Sequence, residues 1–110
     1  MLNNPDNRPH LNRFLQTVDN KKLKNFCQIN HILSLKLFGS ILTEKFEDSS
    51  DIDILIEFEP AFIPGYFKLI ELQRTMAELF FHRKVDLRTQ DELSPYFRQK
   101  VLNHAVVIYG

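Results

Sequence analysis

Three aspartates and a Gly-Ser pair are the residues of this sequence whose types and spacing can do chemistry. Gly39-Ser40 is followed, after a ten-residue gap, by Asp51-Ile52-Asp53, and Asp86 lies further along. At strand spacing Asp51 and Asp53 project from one face, roughly 6 to 7 Å apart at Cα. Carboxylates so placed repel each other, and a divalent cation removes that cost. Magnesium takes one or two carboxylates together with waters and phosphate oxygens, which is what such a pair offers. If the segment around Asp86 is a neighbouring strand, its carboxylate joins the same face. Three convergent aspartates can hold two metal ions for in-line displacement at phosphorus, one carrying a triphosphate and the other activating the attacking hydroxyl. Gly39-Ser40 supplies the complement. A strand that ends in Gly-Ser and turns into a short helix presents backbone N–H groups and a hydroxyl to terminal phosphates. Gly39, without a Cβ, lets the backbone approach them closely. Singly, Gly-Ser is a turn and Asp-x-Asp a solvated strand end. Together, at this spacing, they arise by chance on the order of once in a thousand chains of this length.

The elements that must position these residues are legible from periodicity. Residues 51–58 read as the clearest strand, with Ile52, Ile54 and Ile56 on one face and Asp51, Asp53 and Leu55 on the other. Strands are also expected at 33–38, ended by Gly39-Ser40, at 84–89 and at 105–109. Leu11, Phe14, Leu15 and Val18 fall at helical spacing over 10–18, after Pro9. Asp19 is placed to cap a second helix, in which Leu23, Phe26 and Cys27 repeat the spacing in a shifted phase. Pro60 and Pro64 mark a loop, after which 66–81 is apolar over more than half its circumference and is expected to be a well-buried helix. Ser94-Pro95 opens a last helix running to about 104. Strands interleaved with helices mean an α/β (α+β) fold.

Composition bounds the rest. At 110 residues one domain is expected, spanning 1–110, with the polar, Asn-rich residues 1–9 as a flexible tail. Hydrophobic residues make up 44% and charged ones 25%, as in ordinary globular chains. Fourteen basic and fourteen acidic side chains cancel, which argues against direct nucleic-acid binding. Cys27 is the only cysteine, so neither a disulfide nor a Cys-rich zinc site can form. No apolar run is long enough for a signal-peptide core or a bilayer span, and a cytoplasmic setting is expected.

The stretch Leu37-Phe38-Gly39-Ser40…Asp51-Ile52-Asp53-Ile54-Leu55-Ile56-Glu57-Phe58 resembles the minimal (MNT-type) nucleotidyltransferases of the DNA polymerase β superfamily. The likeness continues through Arg83-Lys84-Val85-Asp86-Leu87 and Leu93-Ser94-Pro95-Tyr96 to Ala105-Val106-Val107-Ile108-Tyr109. It implies a small mixed sheet flanked by helices, and Mg²⁺-dependent transfer of a nucleotidyl group from a nucleoside triphosphate. By family role, Gly39 and Ser40 bind the triphosphate and Asp51 and Asp53 bind metal. Asp86 completes the metal site and helps deprotonate the acceptor, so that Asp51, Asp53 and Asp86 form the catalytic set around two Mg²⁺ ions, with ATP as substrate. Chains this short further resemble the antitoxin half of HEPN/MNT toxin–antitoxin modules. There the partner is a helical HEPN ribonuclease in a hetero-oligomeric complex, silenced by binding and by addition of AMP to a tyrosine. Two alternatives stay open: an antitoxin that inhibits by binding alone, and transfer to a small molecule or to RNA.

Two departures from the family pattern stand out. Family members often follow Gly-Ser with an R-A-R-G turn, whereas this chain has Ile41-Leu42-Thr43-Glu44-Lys45, with Lys45 read as a solvated side chain. Phe81-His82 replaces a more usual Leu-Gly helix stop, so that His82 is expected to end the helix in a left-handed conformation. The four histidines (10, 31, 82 and 104) show no metal-ligand spacing and read as structural or surface residues. Cys27 reads as core and Lys21, Lys22 and Lys24 as a solvated helix face. Most of Phe62, Tyr66, Phe67 and Tyr96 are expected in the core, some at an interface.

Overall fold

Alternation of Ile and Asp along one strand sorts this fold into two faces. The computed structural model describes residues 8–110. Strand β2, Ile52–Phe58, buries Ile52, Ile54 and Ile56 completely or nearly so and turns Asp53 and Leu55 to the other side. It is flanked by β1, Ile32–Phe38, and β3, Val85–Arg88, with β4, Val106–Tyr109, beyond β1. The order is β3-β2-β1-β4. β1 runs antiparallel to both β2 and β4, while β2 and β3 are parallel. The sheet is therefore mixed, and the parallel pair requires a crossover, supplied by helix α3, Tyr66–Leu79.

Helices α1, Pro9–Thr17, and α2, Asn20–Ile29, pack with α3 against the isoleucine face. Pro9 is the first residue of α1 rather than the end of a tail; residues 1–7 of the expected tail lie outside the described residues. The break between α1 and α2 is made by Asp19, whose carboxylate accepts from Lys22 N at 3.1 Å and caps α2. The core on this face joins Leu11, Leu23 and Cys27 to Leu35, Leu37, Ile54, Met76 and Phe80. Helix α4, Pro95–His104, lies alone on the opposite face, begun as expected by Ser94. There Phe38 and Leu55 meet Leu93 and Val101 in a core of four buried residues, against seventeen on the other side. At about 2 kcal/mol per buried aliphatic side chain, α4 is lightly anchored, for it buries only Val101 of its own residues.

Helix α3 corrects one expectation. It buries only Leu72 and Met76, with Phe80 just past its end. Those positions, four apart, form the single stripe that faces the sheet. Tyr66 and Phe67 are 73% and 84% exposed, so the helix is amphipathic and not well buried. None of the four aromatics expected mainly in the core is there, since Phe62 and Tyr96 are also exposed. The helical period marks residues as apolar without saying whether a neighbour exists to cover each face. The helix stop behaves as the sequence predicts and extends by one residue: Phe81 and His82 both have left-handed φ, at 58° and 63°.

Candidate active site

Parallel pairing of β2 with β3 sets Asp53 directly beside Asp86, in the register Asp53↔Asp86. On the other side of β2, Asp53 is paired with Phe38, the last residue of β1. Gly39 and Ser40 follow Phe38 at once, in a single 3-10 turn spanning Gly39–Leu42. Asp51 immediately precedes β2. Five residues separated by up to 47 positions of sequence thus meet at one end of three adjacent strands, on the face shared with α4.

Gly39 has φ of +79°, a left-handed conformation that only glycine adopts without strain. A Cβ there would run into the Asp53 carboxylate, lying 3.1 Å from Cγ and 3.3 Å from Cβ. The turn and the acid are therefore in direct apposition. The turn is closed by Thr43, whose N–H and hydroxyl both donate to the Ser40 carbonyl, at 2.9 and 2.8 Å. The Ser40 hydroxyl itself has no partner among the described residues.

The electrostatics are those of crowded negative charge. Burial, and after it the charges of Asp86 and Asp51, push the Asp53 carboxyl up to about 6, only partly offset by Arg88. Arg88 Nε lies 3.3 Å from both oxygens of Asp86 and its Nη1 lies 3.8 Å from Glu92. That pairing draws Asp86 aside, and among the described residues no three acidic, His or Cys side chains enclose a common point tightly enough for a metal ion. The donor chemistry suits a hard cation nonetheless: three carboxylates on adjoining positions, one of them poorly neutralised.

Sequence reasoning missed three positioning residues. Arg83 Nη2 donates to the carbonyls of Glu47 and Ser50, each at 3.0 Å, while its guanidinium covers the Phe46 ring at 4.5 Å. It pins the segment 43–50 that delivers Asp51. Gln73, on α3, accepts from Leu87 N at 3.0 Å and so satisfies the outer edge of β3 beside Asp86. Arg88 is the third. No spacing announces such contacts. Lys45 is exposed, as read, and so are Lys21, Lys22 and Lys24. Cys27 is fully buried, and burial pushes its thiol up to about 12, which leaves it chemically inert. Among the described residues no histidine joins the aspartates in a cluster that could hold a metal ion; His31 stacks on Phe62 with ring centroids 3.6 Å apart.

Comparison with known proteins gives a consistent picture. The profile of the family described as "Polymerase beta, Nucleotidyltransferase" matches residues 21–110. The protein adenylyltransferase MntA of Thermococcus cleftensis is 31% identical over 92 residues, covering 84% of this chain and 87% of the relative. Among solved structures, a toxin–antitoxin crystallised with AMP-PNP superimposes with a TM-score of 0.66 at 22% identity, over 84% of this chain and 74% of that one. The toxin–antitoxin MntA-HepT gives 0.59 at 22% identity, over 83% and 69%. At such identities the two structures establish the shared fold.

Proposed function

The chain belongs to the polymerase β nucleotidyltransferase family, and from that premise we propose that it is an antitoxin which transfers AMP from ATP to a tyrosine hydroxyl of a partner toxin, a HEPN-family ribonuclease, in the cytoplasm. The observation that carries this reading is the apposition of Gly39-Ser40 with Asp53, itself flanked by Asp51 and Asp86. Support for a protein acceptor comes from the relative named a protein adenylyltransferase. Exposed apolar side chains around Phe62, Ile63, Tyr66 and Phe67 are of the kind that protein partners cover. No helix among the described residues is long and apolar enough to cross a membrane.

In this reading the Gly39 and Ser40 backbone and the Ser40 hydroxyl hold the terminal phosphates. Asp51, Asp53 and Asp86 would hold magnesium, which when bound neutralises phosphate charge and acidifies the acceptor hydroxyl. Asp86 accepts the hydroxyl proton as the tyrosine oxygen forms its bond to the α-phosphorus. The bond from that phosphorus to the departing pyrophosphate breaks on the opposite side. The chain contributes mainly positioning and charge placement, as is usual for phosphoryl chemistry. Because Gly39 fixes the turn against Asp53, a phosphate on the turn is held beside the carboxylates.

The test is intact-mass spectrometry of the neighbouring-gene product incubated with this protein, ATP and Mg²⁺. One or more adenylyl additions are expected with the natural chain and none with Asp53→Asn. Addition that persists undiminished in Asp53→Asn would overturn the assignment of the site. A second reading is an antitoxin that acts by binding alone. The altered turn after Ser40 and the Arg88–Asp86 pairing favour it. A stable complex without mass change would decide for it.

A further inference from the structure

Apart from the aspartates, a cavity of about 370 Å³ opens between α1, the segment 43–50 and the end of α3. That volume is in the range of small-ligand sites. Neither the Gly39-Ser40 turn nor any of the three aspartates lines it. Its apolar lining consists of rings. Phe80, 2% exposed, meets Phe14 edge to face at 5.0 Å. Phe46 is held by the Arg83 guanidinium, 4.5 Å from its centroid, and by the His10 ring at 5.7 Å. Phe81 joins them from the helix stop, where it stands exposed at a left-handed φ. The hydroxyl of Thr17, also in the lining, donates to the Phe14 carbonyl at 2.7 Å.

The rest of the lining carries both signs of charge. Arg13 and Arg83 bring guanidinium groups, Glu47 and Asp48 carboxylates. Among the described residues no ion pair joins these four, and Arg13 and the two carboxylates have no hydrogen-bond partner. Arg83 bonds through Nη2 alone, to the uncharged carbonyls of Glu47 and Ser50, which leaves its charge unneutralised. Opposite charges that border one cavity without pairing with each other match a ligand that carries both. An aromatic ligand with one sign of charge would meet one set and be repelled by the other.

We infer that this cavity binds a free aromatic α-amino acid, with its ring among Phe14, Phe46, Phe80 and Phe81, its carboxylate on Arg13 and Arg83, and its ammonium on Glu47 and Asp48. The site does not depend on the nucleotidyltransferase reading, yet it touches the segments that carry two of the acids. Phe46, Glu47 and Asp48 belong to the segment that delivers Asp51, and Arg83 stands just before β3, which carries Asp86. A ring bound against Phe46 stiffens the segment 43–50.

L-tryptophan is the probe, because the chain has no tryptophan of its own and the emission reports the ligand alone. Titration with the full chain should give a saturable blue shift, reversed by L-phenylalanine. Indole-3-propionate, which lacks the ammonium, and tryptamine, which lacks the carboxylate, should each bind about tenfold more weakly, the loss of one charge-assisted contact. Arg13→Ala should weaken L-tryptophan and indole-3-propionate and spare tryptamine. Glu47→Gln combined with Asp48→Asn should weaken L-tryptophan and tryptamine and spare indole-3-propionate. Lys24→Ala, a charge removed from α2, should change none of them. Circular dichroism establishes that each variant is folded. Amide exchange across 43–50 should slow when L-tryptophan is bound. The proposal is overturned if the natural chain gives no saturable shift, if the three probes bind equally well, or if both cavity variants bind L-tryptophan as the natural chain does. None of these outcomes bears on adenylyl transfer, which is read separately by mass.

Discussion

Asp53 is held at odds with its own charge. Its folded-state carboxyl, raised to about 6 from an ordinary value of 3.8, binds a proton more tightly than in the unfolded chain. Folding therefore takes up a proton between those values, and stability falls as pH rises through about 6. Asp53→Asn removes the penalty. The variant should be more stable than the natural chain at pH 8, by on the order of 1 kcal/mol once solvent screening of a half-buried group is allowed for. The gap should close toward pH 4. Urea unfolding of both proteins at the two pH values checks this, and an Asn variant no more stable at pH 8 would mean that Asp53 is not strained. Loss of transfer with gain of stability is what a functional residue shows and a structural one does not. That Asp51 and Asp53 share a face was readable, because strand alternation dictates it, whereas Asp86 joins them only through the pairing of its strand with β2. That Arg88 holds Asp86 was not, because a rotamer on the same strand leaves no trace in spacing.

The elements were largely legible where a cap or a period marked them. Asp19 and Ser94 start α2 and α4 through the bonds their residue types promise. What periodicity left out was coverage: Tyr66 and Phe67 at the start of α3 have aromatic character and no neighbour to bury them. The other end of α3 stores strain. Phe81 and His82 occupy consecutive left-handed positions, each costing about 1–2 kcal/mol for a residue with a Cβ. The exposed His82 side chain makes no contact that offsets this among the described residues. His82→Gly should stabilise the protein by about 1 kcal/mol, less than the full strain because glycine is freer when unfolded. The expected signature is a higher urea midpoint at unchanged slope. An unchanged or lower midpoint would show that the histidine holds the stop in some other way.

At the scale of the molecule, the active face and the supporting face are unequal. Three helices and most of the core lie behind the sheet, and α4 alone lies in front. The α/β class and the strand positions could be read from the sequence. The strand order could not, because the pairing of β4 with β1 joins segments whose patterns say nothing of each other. β4 is also the least buried strand: Val107 is 52% exposed and no residue of β4 is fully buried. Amide hydrogen exchange should accordingly show β4 opening well before β2, whose exchange should follow global unfolding. Equal protection of the two strands would contradict this. β1 can meet β2 early, across a short segment, but must wait for a partner roughly 70 residues away to cover its other side. Until that slow closure, the central strand of the finished protein is an edge strand of the unfinished one. Two molecules caught at that stage offer each other the same open edge, so crowding during refolding should favour mutual pairing over completion of either sheet.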